Sequence, residues 1–180
     1  MLRKLLLLAL SLTLFAAGCK STKDKKPEVQ AQPEPAKEQT VEDDEFNRST
    51  AGIDITREEF NADKNEILQI IGKLSKIMAD YDYDTWLKYI DPDSAAYWST
   101  PKNLLSASKR LPAKIRLPSL NDYFRYVFVP SRKGRAVEEI RYISRDSVKA
   151  VQVKEDRDIV YYNFVRVDGK WMVNIPELHE

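Results

Sequence analysis

The sequence predicts an α+β domain, and three observations lead there. Apolar residues recur at helical spacing on one face of residues 56–80. From about Val137 the apolar period falls to two over four successive segments. The links between those segments are short and polar, which favours antiparallel neighbours. Helices followed by an antiparallel sheet are the α+β order.

The first helix is the most sharply written. Thr56 and Glu59 have the spacing of a capping box, and Ile55 and Phe60 that of a hydrophobic staple. Phe60, Ile67, Ile70, Ile71, Leu74, Ile77 and Met78 then form one face, ending near Asp80, with the charged side expected in water. A second, shorter helix is expected from Asp84 as N-cap, carrying Trp86, Leu87, Tyr89 and Ile90. Asp91-Pro92-Asp93 should end it, because the residue before proline avoids helical geometry. Residues 119–128 are expected to form a third helical piece closed by Pro130 and Gly134, with a short helix around 104–110 before it.

The strands are expected at 137–144, 147–154, 159–167 and 170–175. Asp168-Gly169 is a type I′ hairpin signal, since both central positions of that turn need positive φ. On the third strand Tyr162 and Phe164 share one face, while Tyr161, Asn163 and Val165 share the other.

The first 55 residues have a different composition. Met1-Leu2-Arg3-Lys4 is positive, residues 5–17 are apolar apart from Ser11 and Thr13, and Ala16-Ala17-Gly18 precede Cys19. This is the pattern of a secretory signal, 1–18, and it is short for a bilayer span. Cys19 is the only cysteine, so neither a disulfide within the chain nor a thiolate metal site is available to it. Residues 19–55 are rich in Lys, Glu, Pro, Gln, Ser and Thr and carry almost no large apolar side chain. Such a stretch cannot bury enough surface to offset its chain entropy. A disordered tether is expected, spanning roughly 30–35 Å as a coil, ahead of a domain at 56–178.

Ala16-Ala17-Gly18-Cys19 resembles the lipobox of bacterial lipoprotein precursors, with Ala16 where that pattern usually has Leu. The resemblance implies a diacylglycerol on the Cys19 thiol, cleavage before Cys19, and acylation of the new amino group. A thiolate suits that role as the most nucleophilic ordinary side chain. Each buried lipid methylene contributes about 0.8 kcal/mol, so two or three chains anchor firmly. Lys20 after the cysteine, in place of Asp, points to an outer-membrane destination on the periplasmic or surface side.

The domain carries a second resemblance. The initial amphipathic helix, Asp84-x-Trp86-Leu87-x-Tyr89-x-Asp91-Pro92-Asp93, and the final hairpin from Tyr162 to Val173 through Asp168-Gly169-Lys170-Trp171 look like the NTF2-like cone. That superfamily holds ketosteroid isomerases, SnoaL-like cyclases and many binding or assembly domains. It implies helices packed in a curved sheet of about four strands, with a pocket at the open end.

The supply of chemical groups is narrow. The one histidine, His179, lies next to the end of the chain, so neither a fixed catalytic base nor a zinc site is expected. There is no Gly-rich phosphate loop, no Gly-x-Ser-x-Gly elbow and no His-Glu-x-x-His. No catalytic residue, metal or cofactor is expected. Asp91 and Asp93 read as rim carboxylates or, more simply, as a helix stop with an Asx turn. Trp86, Tyr89, Tyr126, Tyr142, Tyr162, Phe164 and Trp171, with Arg141 and Asn163 as polar tips, are candidate lining for a pocket holding a small amphipathic ligand. The competing reading is that these rings are core. Lys102, Lys109, Arg110, Lys114 and Arg116, then Arg132, Lys133 and Arg135, form two basic stretches suited to solvent, lipid headgroups or an anionic envelope polymer. A net charge of +1 makes no case for nucleic acid.

Three functional readings follow. One is a membrane-anchored envelope module that binds a partner protein or small apolar ligand without catalysis. Another is an NTF2-like enzyme, of isomerase or cyclase type, tethered to the membrane. The third is a structural surface lipoprotein that self-associates, for instance as a homodimer through its sheet.

Overall fold

The computed structural model describes residues 44–112, 115–155 and 157–178. The signal, Cys19 and most of the expected tether lie outside the described residues, as do Lys114 and His179. A short helix, α1 (44–49), is followed by α2 (Arg57–Asp80), α3 (Tyr83–Leu87), α4 (Pro92–Trp98) and α5 (Pro101–Arg110). A further helical run comprises α6 (Leu120–Tyr123), a π-helical stretch Phe124–Phe128 and α7 (Val129–Arg132). The strands β1 (Glu139–Ser144), β2 (Ser147–Lys154), β3 (Arg157–Val167) and β4 (Lys170–Asn174) close the chain. They form one sheet in the order β1-β2-β3-β4, antiparallel throughout. The fold is α+β, as the change of period predicts.

The cap of α2 follows from its sequence. Thr56 accepts from the Glu59 amide at 3.2 Å while the Glu59 carboxylate accepts from the Thr56 amide at 2.8 Å. The buried stripe reads Phe60, Asp63, Ile67, Ile70, Leu74, Ile77 and Met78. Asp63 therefore corrects the expectation that the helix's charges all face water. Tyr81 ends the helix in the left-handed region at φ 54°.

Register across the sheet places Tyr142, Val148, Phe164 and Val173 in one row and Ile140, Ala150 and Tyr162 in the next. All of these are buried, so one face of the sheet carries the core. Register shifts lie between Tyr142 and Ser144 and between Ala150 and Val151, and bulges of this kind bend and twist a sheet. Trp86 packs at 4.8 Å from Phe124 and 5.1 Å from Phe128, and Phe128 reaches Tyr162 at 6.3 Å. This aromatic cluster fills the space between helices and sheet. At the β3–β4 hairpin, Asp168 and Gly169 have φ of 48° and 76°, the pair of positive values that a type I′ turn requires.

Several expectations are corrected. Asp82, not Asp84, caps α3, accepting from the Thr85 amide at 3.0 Å; Asp84 lies in the first turn. The helix expected to run to Ile90 ends at Leu87, because Tyr89 and Ile90 turn away to bridge β4; Asp91-Pro92 does not stop it but opens α4. Proline has no amide to waste at the first helical position, and Asp91 caps it by accepting from Asp93 and Ser94. The helix expected around 104–110 begins at Pro101 for the same reason. Pro130 lies inside α7 rather than closing the run. Just before it the helix widens, and the Val129 amide donates to Phe124 O, five residues back. A widened turn relieves the clash a proline ring makes with the preceding turn's carbonyl.

The tether expected to reach residue 55 ends earlier. Helix α1 is packed: Phe46 meets Phe60 edge-on at 5.5 Å, and Lys64 pairs with Glu45 at 2.5 Å. Ser49 Oγ donates to Ile140 O at 2.6 Å on β1, the first edge of the sheet. The other edge is covered by Ile90, which bridges Val173 of β4 in parallel through Val173 N to Tyr89 O at 2.7 Å and Asp91 N to Val173 O at 2.9 Å. Both edges thereby lose part of the exposed backbone that would pair with another chain.

Candidate functional site

The most distinctive polar constellation among the described residues centres on Asp63. Helical spacing puts it three residues after Phe60 and four before Ile67, so it points at the sheet with them. Tyr142 stands on β1 above it, and Arg166 and Trp171 are cross-strand partners on β3 and β4. Tyr142 Oη donates to Asp63 at 2.7 Å, Trp171 Nε1 at 3.0 Å, and Arg166 donates to both carboxylate oxygens at 2.8 and 2.7 Å. The guanidinium also lies 4.2 Å from the Trp171 ring centroid and 3.6 Å from Asp146.

A depression of about 310 Å³ opens beside this cluster, bordered by Ile55, Glu59, Asp63, Arg145, Asp146 and Arg166. Arg145, in the β1–β2 turn, donates to Glu59 at 2.8 Å and to Asp54 O. The backbone amide of Thr56, then Arg145, hold the Glu59 carboxyl below the usual range. Burial, and then the hydrogen bond to Asp63, push the Tyr142 hydroxyl well above its ordinary value. Tyr142 thus keeps its proton, and donors occupy both oxygens of Asp63. With three side chains donating to one carboxylate, the cluster works as a clamp between helix and sheet. Its open side offers paired charges to a polar group.

The sequence missed Asp63. The available signal was the single charged residue interrupting an apolar stripe, matched by Arg166 on the Tyr162–Phe164 face of β3.

The other candidate residues are dispersed. Trp86, Tyr162 and Phe164 are in the core, and Tyr142 and Trp171 are engaged by Asp63. Arg141 and Asn163 alternate onto the opposite face of the sheet, where Arg141 pairs with Glu139 at 2.7 Å and Asp158 at 2.9 Å. Tyr89 borders a separate depression with Trp171 and Met172, and Tyr126 is 43% exposed. The structure does not bring this set to one cavity, because Trp86, Phe124 and Phe128 occupy the middle. Asp93 is exposed in the first turn of α4. Asp91 is buried, and besides capping α4 it accepts from Ser94 Oγ and from Asn174 Nδ2 at 3.2 Å. Among the described residues no three His, Cys, Asp or Glu side chains converge as metal ligands, and no helix is long and apolar enough to cross a membrane.

No protein-family model and no solved structure matches the chain. A protein of Treponema pallidum (strain Nichols), named an uncharacterized lipoprotein, is 32% identical over 120 residues. The match spans 66% of this chain and 64% of that protein, a little under two thirds of the relative's length.

Proposed function

We propose that this chain is an exported, lipid-anchored protein of the bacterial cell envelope, held at the outer membrane through Cys19, whose folded domain binds a partner protein without catalysis. The observation that carries the anchor is the Ala16-Ala17-Gly18-Cys19 box in a chain homologous to a protein named as a lipoprotein. The composition before residue 44 suits a spacer holding the domain away from the bilayer. Helices followed by a four-stranded antiparallel sheet with two register shifts and one buried face support an NTF2-like cone for the domain. Its interior is packed with aromatic rings, which favours recognition at the surface over enclosure of an apolar ligand.

The saturated hydrogen bonding of Asp63 and Asp91 supports the non-catalytic reading. An isomerase-type site needs a carboxylate free to take a proton, and both of these are committed to the fold. Metabolic labelling with a radiolabelled fatty acid tests the anchor. The parent should take up label and Cys19→Ala should not; equal labelling of the two would end the proposal.

A further inference from the structure

A half-buried guanidinium normally has a carboxylate beside it, because removing a charge even partly from water without compensation is costly. Arg132 does not. Its guanidinium lies 3.8 Å from the Phe128 ring centroid and 5.3 Å from that of Tyr162. Nη1 donates to Ser131 Oγ at 2.9 Å and to Phe128 O at 3.4 Å, both neutral acceptors. Nε is buried and has no hydrogen-bond partner among the described residues. The titratable groups that act on Arg132 are the hydroxyls of Tyr162 and Tyr123, and burial draws its pKa down. Two aromatic faces, a half-buried planar cation and an unpartnered buried Nε form a site that can take a charge the protein does not supply.

The surroundings extend the argument. Arg132 borders a depression of about 270 Å³ between the end of α2, at Ser75, Met78 and Ala79, and the turn carrying Lys133 and Arg135. No salt bridge joins Arg132, Lys133 or Arg135 to an acid among the described residues. Arg135 is placed by its guanidinium 5.8 Å from the Tyr161 ring centroid. Three cations around one opening are poorly matched by a single carboxylate. A phosphomonoester dianion, with three terminal oxygens, suits them better, since guanidinium forks and ammonium groups both donate to phosphate oxygens.

We infer that this depression binds a phosphomonoester group through Arg132, Lys133 and Arg135. The inference is independent of the anchor. The same group occurs on soluble phosphate esters and on the headgroup of phosphatidic acid, and the experiment separates the two. The full chain carrying Cys19→Ser, and so free of its own lipid, is titrated with glycerol 3-phosphate and with vesicles of phosphatidic acid in phosphatidylcholine. Plain phosphatidylcholine vesicles serve as control.

Saturable binding is expected, at one site per chain for the soluble ester. Lys133→Gln with Arg135→Gln should weaken it by roughly tenfold or more, as two charge-assisted contacts are lost. Both side chains are exposed, so this double variant should keep the parent's circular dichroism. Binding to vesicles alone, dependent on both cations, supports the site and assigns it to a lipid; binding to both probes assigns it to the phosphate group as such. No saturable binding to either probe, or binding that survives the double substitution, would overturn it.

Discussion

Arg166 donates to both carboxylate oxygens of Asp63 from 103 residues further along the chain, at 2.8 and 2.7 Å. This contact ties the first long helix to the last hairpin, and Tyr142 and Trp171 complete the binding of the same carboxylate. Removing Asp63 takes from a guanidinium, a phenol and an indole the acceptor they share. Asp63→Ala should therefore lower unfolding stability by about 3 kcal/mol, read as a lower urea midpoint. A midpoint equal to the parent's would show that the clamp is dispensable.

Tyr142 sets a pH dependence. Its folded pKa is raised above the ordinary tyrosine value of about 10, chiefly by burial and then by Asp63. Its contribution is therefore intact below pH 10.0 and is lost as pH rises towards the folded value. Stability should fall above about pH 10. Tyr142→Phe should be less stable near neutrality by about 1 kcal/mol, yet lose less on going alkaline. Tyr123 and Tyr162, also raised by burial, leave some decline in that variant. Urea unfolding of both proteins across this range checks the slopes; identical slopes would count against Tyr142.

Asp91 is a cap with additional duties. It serves the amides of Asp93 and Ser94, the Ser94 hydroxyl and the Asn174 amide from one buried position. Asp91→Ala should cost about 2 kcal/mol, the upper range for an N-cap, and Asp91→Asn less. The exposed neighbour Asp93 offers a control, since Asp93→Ala should shift the thermal midpoint little.

Phe46 tests where the folded domain begins. Its ring lies against Phe60 and under Arg57, whose guanidinium is 4.5 Å from the centroid. If α1 belongs to the domain, Phe46→Ala should cost about 1–2 kcal/mol, less than a full core truncation because the ring is only half-buried. Were residues 44–49 a free part of the tether, denaturant unfolding would not change.

The sequence was most legible where structure is decided locally. Thr56 with Glu59, and Asp168 with Gly169, specify a cap and a turn within four residues, and both form. The two-residue period likewise marked the four strands, and the short links between them their antiparallel neighbours, whereas which face carries the core was settled only by the helices packed on it. Reading failed where one residue serves two segments. Asp91-Pro92 looks like a stop and is a start, and Pro130 looks like a stop until the widened turn before it is seen. Asp63 was hidden for another reason. A helix is full of charges, and its partners Tyr142, Arg166 and Trp171 lie on three different strands that only the tertiary fold brings together. The same holds for α1, whose polar sequence conceals the one aromatic ring that docks it.

Where the mature chain starts, and what its first residue carries, is read from the mass of its N-terminal peptide. Protein taken from native membranes and cleaved with a protease should yield a first peptide beginning at Cys19 and heavier than its sequence by a diacylglycerol, with or without a further acyl chain. A first peptide that retains residues before Cys19, or one in which Cys19 carries an unmodified thiol, would rule out a lipid anchor at this cysteine.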